Sequence, residues 1–280
     1  MKLKFNEGIT TITAEDLHYI SNDGEHLPVD DVKNVTEVII PDSVTEIEDC
    51  AFLRCNSLES IVIPDSVIKI GEAAFAKCTF LKSINIPNGV KEIRYCAFEC
   101  CYSLKSVIIP DSVTRIGENA FARCESLKSV IIPDSVTEIG DCAFLRCKSL
   151  KSIIISNSVT KIERGTFCEC KSLKSITIPD SVTEIGYEAF GGCKSLESVI
   201  IPDGVTEIGN KAFVKCESLK SIIIPDSVIK IGKWVFEGCN NLIIKCNKGS
   251  YAEKYVKEKG IKFEVNKEKD GNSKRYILEM

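Results

Sequence analysis

Proline recurs along this chain with a period of 23 residues. Pro41, Pro64, Pro87, Pro110, Pro133, Pro179, Pro202 and Pro225 fall on one grid, and Ser156 fills its one vacant position. Phe52, Phe75, Phe98, Phe121, Phe144, Phe167, Phe190, Phe213 and Phe236 keep the same grid without a gap. So do Cys55, Cys78, Cys101, Cys124, Cys147, Cys170, Cys193, Cys216 and Cys239. A fixed period of this size is the signature of a solenoid or an array. A solenoid repeat touches only its neighbours, and stacked repeats share one core. The 280 residues therefore read as one elongated body rather than as separate domains.

The segment from Ser126 to Lys148, SLKSVIIPDSVTEIGDCAFLRCK, shows the physics of one coil. Val130 and Ile132 sit at strand spacing and face the same side. Pro133 has no N–H and ends the ladder. Asp134 and Ser135 make the turn, and Val136 and Ile139 begin a second short extended piece. Gly140 is read as a bend. Ala143, Phe144 and Cys147 follow at spacing that predicts a single helical turn. One coil has too few inward residues for a core. Stacked coils have enough, at roughly 4.8 Å per coil, so nine coils predict a body roughly 40 to 45 Å long. The column before each second inward Ile reads Glu46, Lys69, Glu92, Arg115, Glu138, Lys161, Glu184, Glu207, Lys230. Its sign alternates coil by coil except for Glu184 beside Glu207, which predicts register control and solubility, since opposite charges across neighbouring strands stabilise and like charges do not. Coil six lacks the proline and carries Glu163, Gly165, Thr166 and Cys168 at irregular positions, so weak stacking is expected there.

The ends differ from the array. Residues 1–34 read as a degenerate first coil in which Leu3, Phe5, Ile9, Ile12, Leu17 and Ile20 match the inward grid. A polar insertion lies near Ser21 to Val32. The nine regular coils span 35–241. Residues 242–265 read as a strand–helix–strand cap. Ser250 and Glu253 form a capping box there, Tyr251, Ala252, Tyr255 and Val256 form an apolar stripe, and Gly260 stops the helix. Residues 266–280 are charged and apolar-poor, which predicts a disordered tail.

Composition narrows the function classes. The net charge of −4 argues against a nonspecific nucleic-acid binder, which would be basic. No run of about 18 apolar residues exists, so no membrane insertion is expected. The stretch Met1 to Gly8 has no apolar segment that could serve as a signal peptide, which as written keeps the chain in the compartment where it is made. The histidines are His18 and His26. No nucleophile elbow, phosphate loop or metalloprotease pattern occurs. No catalytic residue, cofactor or metal is expected, and a monomer is. Of 15 cysteines, nine lie on an inward column and read as small apolar core residues. Cys50, Cys96 and Cys142 recur every second coil, roughly 9.6 Å apart, beyond the roughly 7 Å reach of a disulfide. Cys96, Cys100 and Cys101 form the densest group and the one metal or redox candidate.

The pattern L-x-x-I-x-I-P-x-x-V-x-x-I-G-x-x-A-F-x-x-C resembles the BspA-like class of leucine-rich repeats. The ending GSYAEKYVKEKGIKF resembles the C-terminal cap of that family. The likeness runs from about Val35 to Val265. It implies a β-rich leucine-rich-repeat solenoid, a parallel β-sheet stacked coil by coil with single helical turns and a short C-terminal capping helix. It also implies a cell-surface or secreted protein that adheres to host proteins or other cells, with no shared catalytic residues.

One surface stands out. Lys82, Lys105, Lys128, Lys151 and Lys174 follow one another on the outward side of the first strands, flanked by Glu59 and Glu197. A parallel column reads Ile39, Val62, Asn85, Ile108, Ile131, Ile154, Thr177, Ile200, Ile223, with serines between. An apolar stripe edged by lysines is what a binding face looks like, although repeat duplication alone would also copy such columns. Three functions follow: a scaffold that binds a protein or glycan on this face; a structural spacer or stalk; and a cysteine-based redox or metal protein.

Overall fold

The computed structural model describes residues 2–20, 26–28 and 34–266. The molecule is a parallel β-solenoid in which every coil has three stacked sides. The first side is a three-residue strand such as Ser106–Ile108 or Ser129–Ile131. Its middle residue is buried and its outer two are exposed, as the alternation of a strand requires. The second side is a two-residue strand such as Arg115–Ile116. Both pair with a shift of one period: Val107 lies opposite Ile84, and Ile116 opposite Ile93 and Ile139. The Pro-Asp-Ser-Val turn between them is closed by Val136 N–H donating to the Pro133 carbonyl at 3.0 Å. Its serine hydroxyl donates to the preceding coil, Ser135 to the Val113 carbonyl at 2.7 Å.

The third side takes a form the helical spacing did not specify. Where one helical turn is expected, the chain makes a run of hydrogen-bonded turns. In coil four, counted by its Pro110, Ala120, Ala122 and Cys124 donate three residues back, to Gly117, Asn119 and Phe121. The alternate N–H groups leave the coil: Asn119, Phe121 and Arg123 donate to Asp141, Ala143 and Leu145 of the next. Those directions require two left-handed residues per coil, here Asn119 at φ 55° and Arg123 at φ 61°. Ala73, Lys77, Cys100, Glu188 and Trp234 hold the same conformation. For a residue with a Cβ it costs about 1–2 kcal/mol, offset by a bond that would otherwise leave a backbone N–H unsatisfied.

The glycine of the coil is needed for close approach rather than for a bend. A Cβ on Gly117 would lie 2.9 Å from the backbone of Arg94 and Tyr95, and one on Gly140 2.7 Å from the Glu118 nitrogen. With no Cβ in the way, Gly117, Gly140, Gly186, Gly209 and Gly232 each donate to the isoleucine carbonyl of the preceding coil at 2.7–2.8 Å. Coils three and six carry Arg94 and Glu163 at this position. There the second-sheet ladder is interrupted, between Lys69–Ile70 and Glu92–Ile93 and between Glu138–Ile139 and Lys161–Ile162. Glu48 keeps the bond, donating to Ile12 at 2.8 Å. Interruptions in the first sheet, at coils two to three, four to five and six to seven, follow no residue column.

The core runs through every interruption. Consecutive phenylalanine rings from Phe52 to Phe236 stack at 5.0–5.9 Å with planes within 17°. The column cysteines are core residues that also donate: Cys124 Sγ lies 3.2 Å from the Phe98 carbonyl and Cys147 Sγ 3.3 Å from that of Phe121. The charge column pairs across coils, with Lys69 on Glu46 at 2.9 Å, Arg115 between Glu92 at 2.6 Å and Glu138 at 3.0 Å, and Lys230 on Glu207 at 2.6 Å. These pairs are solvent-accessible and screened, so they serve register more than stability.

At the N-terminal end Lys2–Lys4 pairs in parallel with Glu37–Ile39, and Thr11–Ile12 with Glu46–Ile47. His18–Ile20 pairs antiparallel with His26–Pro28. Most of the segment read as a polar insertion, 21–25 and 29–33, lies outside the described residues, as does the tail 267–280. At the C-terminal end the helix Tyr251–Lys259 joins two parallel strands, Ile243–Asn247 and Phe263–Asn266. Ser250 Oγ accepts from Glu253 N–H at 3.1 Å, while the Glu253 carboxylate accepts from Gly249 N–H at 2.6 Å, one residue before the N-cap. Ala252, Tyr255 and Val256 are buried and Tyr251 is exposed. Tyr255 meets the end of the phenylalanine stack edge-on, 6.4 Å from Phe236. No helix among the described residues is long and apolar enough to cross a membrane.

Candidate interaction face

The outward side of the first sheet carries three parallel columns, because each strand exposes its first and third residues and the lysine just precedes it. Lys82, Lys105, Lys128, Lys151 and Lys174 are all exposed. Their backbones are tied in sequence: Lys105 N–H donates to Lys82, Lys128 to Lys105 at 3.3 Å, and Lys151 to Lys128 at 2.9 Å. The structure divides them. Lys82 is ion-paired to Glu59, whereas no carboxylate among the described residues pairs with Lys105, Lys128, Lys151 or Lys174. Beyond them Lys220 pairs with Glu197 at 3.0 Å. The unpaired ridge is thus four residues long and closed at both ends by acidic side chains.

The isoleucine column is exposed to an unusual degree for its residue type. Ile108 and Ile131 are each 65% exposed and Ile154 is 61% exposed. Val62, Ile200 and Ile223 extend it, with Asn85 and Thr177 as breaks. Between the two columns Ser106, Ser129, Ser152 and Ser175 are exposed, and no side-chain partner of theirs is found among the described residues.

Other candidates have less to offer. Among the described residues no group of three or more His, Cys, Asp or Glu could hold a metal ion. Burial pushes the thiols of Cys96 and Cys168 up to about 12 and raises that of Cys100. Such thiols stay protonated at neutral pH, and the reactive species is the thiolate. A cleft that the columns alone do not reveal opens at coil three, lined by Glu72, Glu92, Arg94, Tyr95, Arg115, Gly117 and Glu118. Its sequence signal is the replacement of the column glycine by Arg94. Arg115 is already bonded to Glu92 and Glu138, and Arg94 faces Glu92 at 3.9 Å, so its cations are largely engaged within the protein.

Two solved structures, from Bacteroides ovatus and Eubacterium ventriosum, share the fold. No curated protein matches the chain. A leucine-rich repeat protein from Bacteroides ovatus is similar at 26% identity over 94% of this chain and 94% of that one, with a TM-score of 0.55. A leucine rich cell surface protein from Faecalibacterium prausnitzii is 30% identical over 90% and 91%, with a TM-score of 0.39. A leucine-rich repeat protein from Eubacterium ventriosum is 21% identical over 85% and 82%, with a TM-score of 0.53. Leucine-rich repeat proteins are generally scaffolds for protein interaction. The BspA type Leucine rich repeat region matches residues 30–151 and 114–243, and the chain belongs to that family.

Proposed function

We propose that the protein is a non-catalytic scaffold, acting in adhesion or surface interaction, that binds an acidic protein or glycan partner on the outward face of its first sheet. One observation carries this: Lys105, Lys128, Lys151 and Lys174 form a single-sign ridge that no carboxylate among the described residues pairs, beside the exposed Ile108, Ile131 and Ile154. The inward residues are committed to the core, and the second-sheet charges largely neutralise one another. A ridge of one sign steers an oppositely charged partner, and exposed apolar area supplies affinity. The test is the K128E, K151E double variant, whose side chains both point outward. Capture of interactors from the native cell or its host, compared with wild type by quantitative mass spectrometry, should lose acidic partners, with a smaller difference at high salt. Identical interactor sets would overturn the assignment, and empty sets for both would favour a spacer.

A further inference from the structure

We infer that the cleft at coil three is a binding site for an organic ammonium ion, the group carried by a lysine side chain or a free alkyl diamine. The site lies off the first-sheet face, so it stands or falls independently of the assignment above. It is built on a tyrosine position that the chain uses twice. Tyr95 in coil three and Tyr187 in coil seven hold the same place in their coils, and both are exposed. At Tyr187 the next coil supplies a cation. Lys211 Nζ lies 5.7 Å from the centre of the Tyr187 ring and 6.0 Å from that of Trp234. It is also 3.4 Å from the Tyr187 hydroxyl and 3.5 Å from a Glu188 carboxylate oxygen. An ammonium within about 6 Å of an aromatic face is attracted by the ring, and the carboxylate adds to that attraction. At Tyr95 the residue equivalent to Lys211 is Asn119, which brings no charge.

The carboxylates at Tyr95 are nonetheless in place. Glu72 and Glu118 stand one coil before and one coil after it in its own column, about 9.6 Å apart by strand spacing. No cation among the described residues pairs with either, and Glu118 accepts from the Asn119 amide at 3.3 Å. The other charges around the cleft are matched. Arg115 is bonded to Glu92 and Glu138, and Arg94 faces Glu92. Two guanidinium groups thus meet two carboxylates, and Glu72 and Glu118 are left over, so the field in the cleft favours a cation. The room comes from the glycine column. Arg94 replaces the glycine and the second sheet does not close between coils two and three, while Gly71 and Gly117 on either side carry no side chain. The cleft measures about 500 Å³, enough for an aminoalkyl chain with its ammonium between the two carboxylates. A metal ion fits less well, since no group of three or more His, Cys, Asp or Glu among the described residues could hold one.

The experiment follows the tyrosines of the full chain by fluorine NMR after 3-fluorotyrosine labelling, with the Tyr95 signal assigned through Tyr95→Phe. Titration with 1,5-diaminopentane or with Nα-acetyl-lysine amide should move the Tyr95 signal saturably and leave that of Tyr187, already beside Lys211, in place. Tighter binding of the diamine assigns a free diamine as the source, and tighter binding of the lysine derivative assigns a partner's side chain; both support the site. The E72Q, E118Q double variant should bind at least about tenfold more weakly. Asn119→Lys should abolish binding, because it gives coil four the cation that coil eight already has. Lys211 holds φ 57° and Asn119 φ 55°, so that exchange keeps the backbone. Lys211→Asn should make the Tyr187 signal respond in its turn. An unaltered titration in Asn119→Lys would overturn the site, as would an equal response to the uncharged Nε-acetylated lysine derivative. So would a Tyr95 signal that neither probe moves at about 10 mM, a concentration well above a millimolar Kd.

Discussion

Coils seven and eight join differently from coils two and three. Between seven and eight both sheets are continuous, with Ser175–Thr177 paired to Ser198–Ile200 and Glu184–Ile185 to Glu207–Ile208. Between two and three neither sheet ladder crosses. The core does not register the difference: Phe190 and Phe213 stack at 5.2 Å, Phe75 and Phe98 at 5.5 Å. Nor does the turn side, where Gly192 donates to Val214 and Lys77 to Glu99. In the second sheet what changes is one column, whereas the first-sheet break follows none. Gly209 sits against the backbone of coil seven and donates to Ile185 at 2.7 Å, whereas Arg94 carries a Cβ where coil two leaves little room. The stack is therefore held by its core and its turn side, and from coil two onward the second sheet closes where glycine permits, while coil one closes with Glu48 in the column. The joint below coil six is an intermediate case. Glu163 interrupts the second sheet, but Ser129–Ile131 still pairs with Ser152–Ile154 and Arg164 bonds Asp141 at 3.0 Å. The lost proline costs little there, because the buried Ser156 hydroxyl accepts from Ser158 N–H at 3.0 Å and rebuilds the turn.

The largest expected effect breaks both joints equally. Phe98→Ala and Phe213→Ala should each cost about 3–5 kcal/mol, since the ring stack is the same on both sides. Contacts in a solenoid are between neighbours, so Phe98→Ala should separate unfolding into two stages at the joint that lacks both ladders. Denaturant unfolding followed by two local probes would show this, and a single unshifted transition would contradict the core assignment. Gly209→Ala should next import the defect of coil three into a regular joint, at about 1–3 kcal/mol from overpacking against the Gly186 backbone.

The reverse exchange should be smaller and of opposite sign. Arg94→Gly lets two amides, those of residues 91 and 94, reach coil two. With about 1 kcal/mol per hydrogen bond and about 0.5–1 kcal/mol lost to glycine flexibility, the net gain is about 1 kcal/mol. Hydrogen exchange should show it directly: in wild type the Arg94 and Glu163 amides exchange before those of Gly117, Gly140 and Gly209. Slower exchange at Arg94 than at Gly209 would refute the glycine rule. The smallest effect is one of pH. Burial, and next the neighbouring Asp141, raises the Glu163 carboxyl above its usual 4.5. A carboxyl raised in the folded state binds protons more readily there than in the unfolded chain, so stability falls as pH rises through its range. Glu163→Gln should therefore melt higher than wild type at neutral pH, with the difference vanishing as pH falls below the carboxylate range.

The repeat itself carried most of the fold. A 23-residue period with Phe, Cys and Pro in fixed columns leaves one arrangement that buries every apolar column at once, and that follows from sequence because burial depends on periodicity. The outward position of the lysines and isoleucines was legible for the same reason. Three matters were decided only by neighbouring coils. Cys50, Arg54, Lys77 and Glu169 carry no local signal for a left-handed backbone, yet adopt φ of 58–62°, because their N–H groups find a carbonyl on the next coil and nowhere else. The column glycine reads as a bend in one dimension and proves to be a contact in three, since the atom it avoids lies in the preceding coil. Among five lysines alike in sequence, Lys82 alone is paired to a carboxylate among the described residues, because stacking brings Glu59 beside it. Sequence periodicity determined which side each residue faces; only the packed structure determined which partner it meets there.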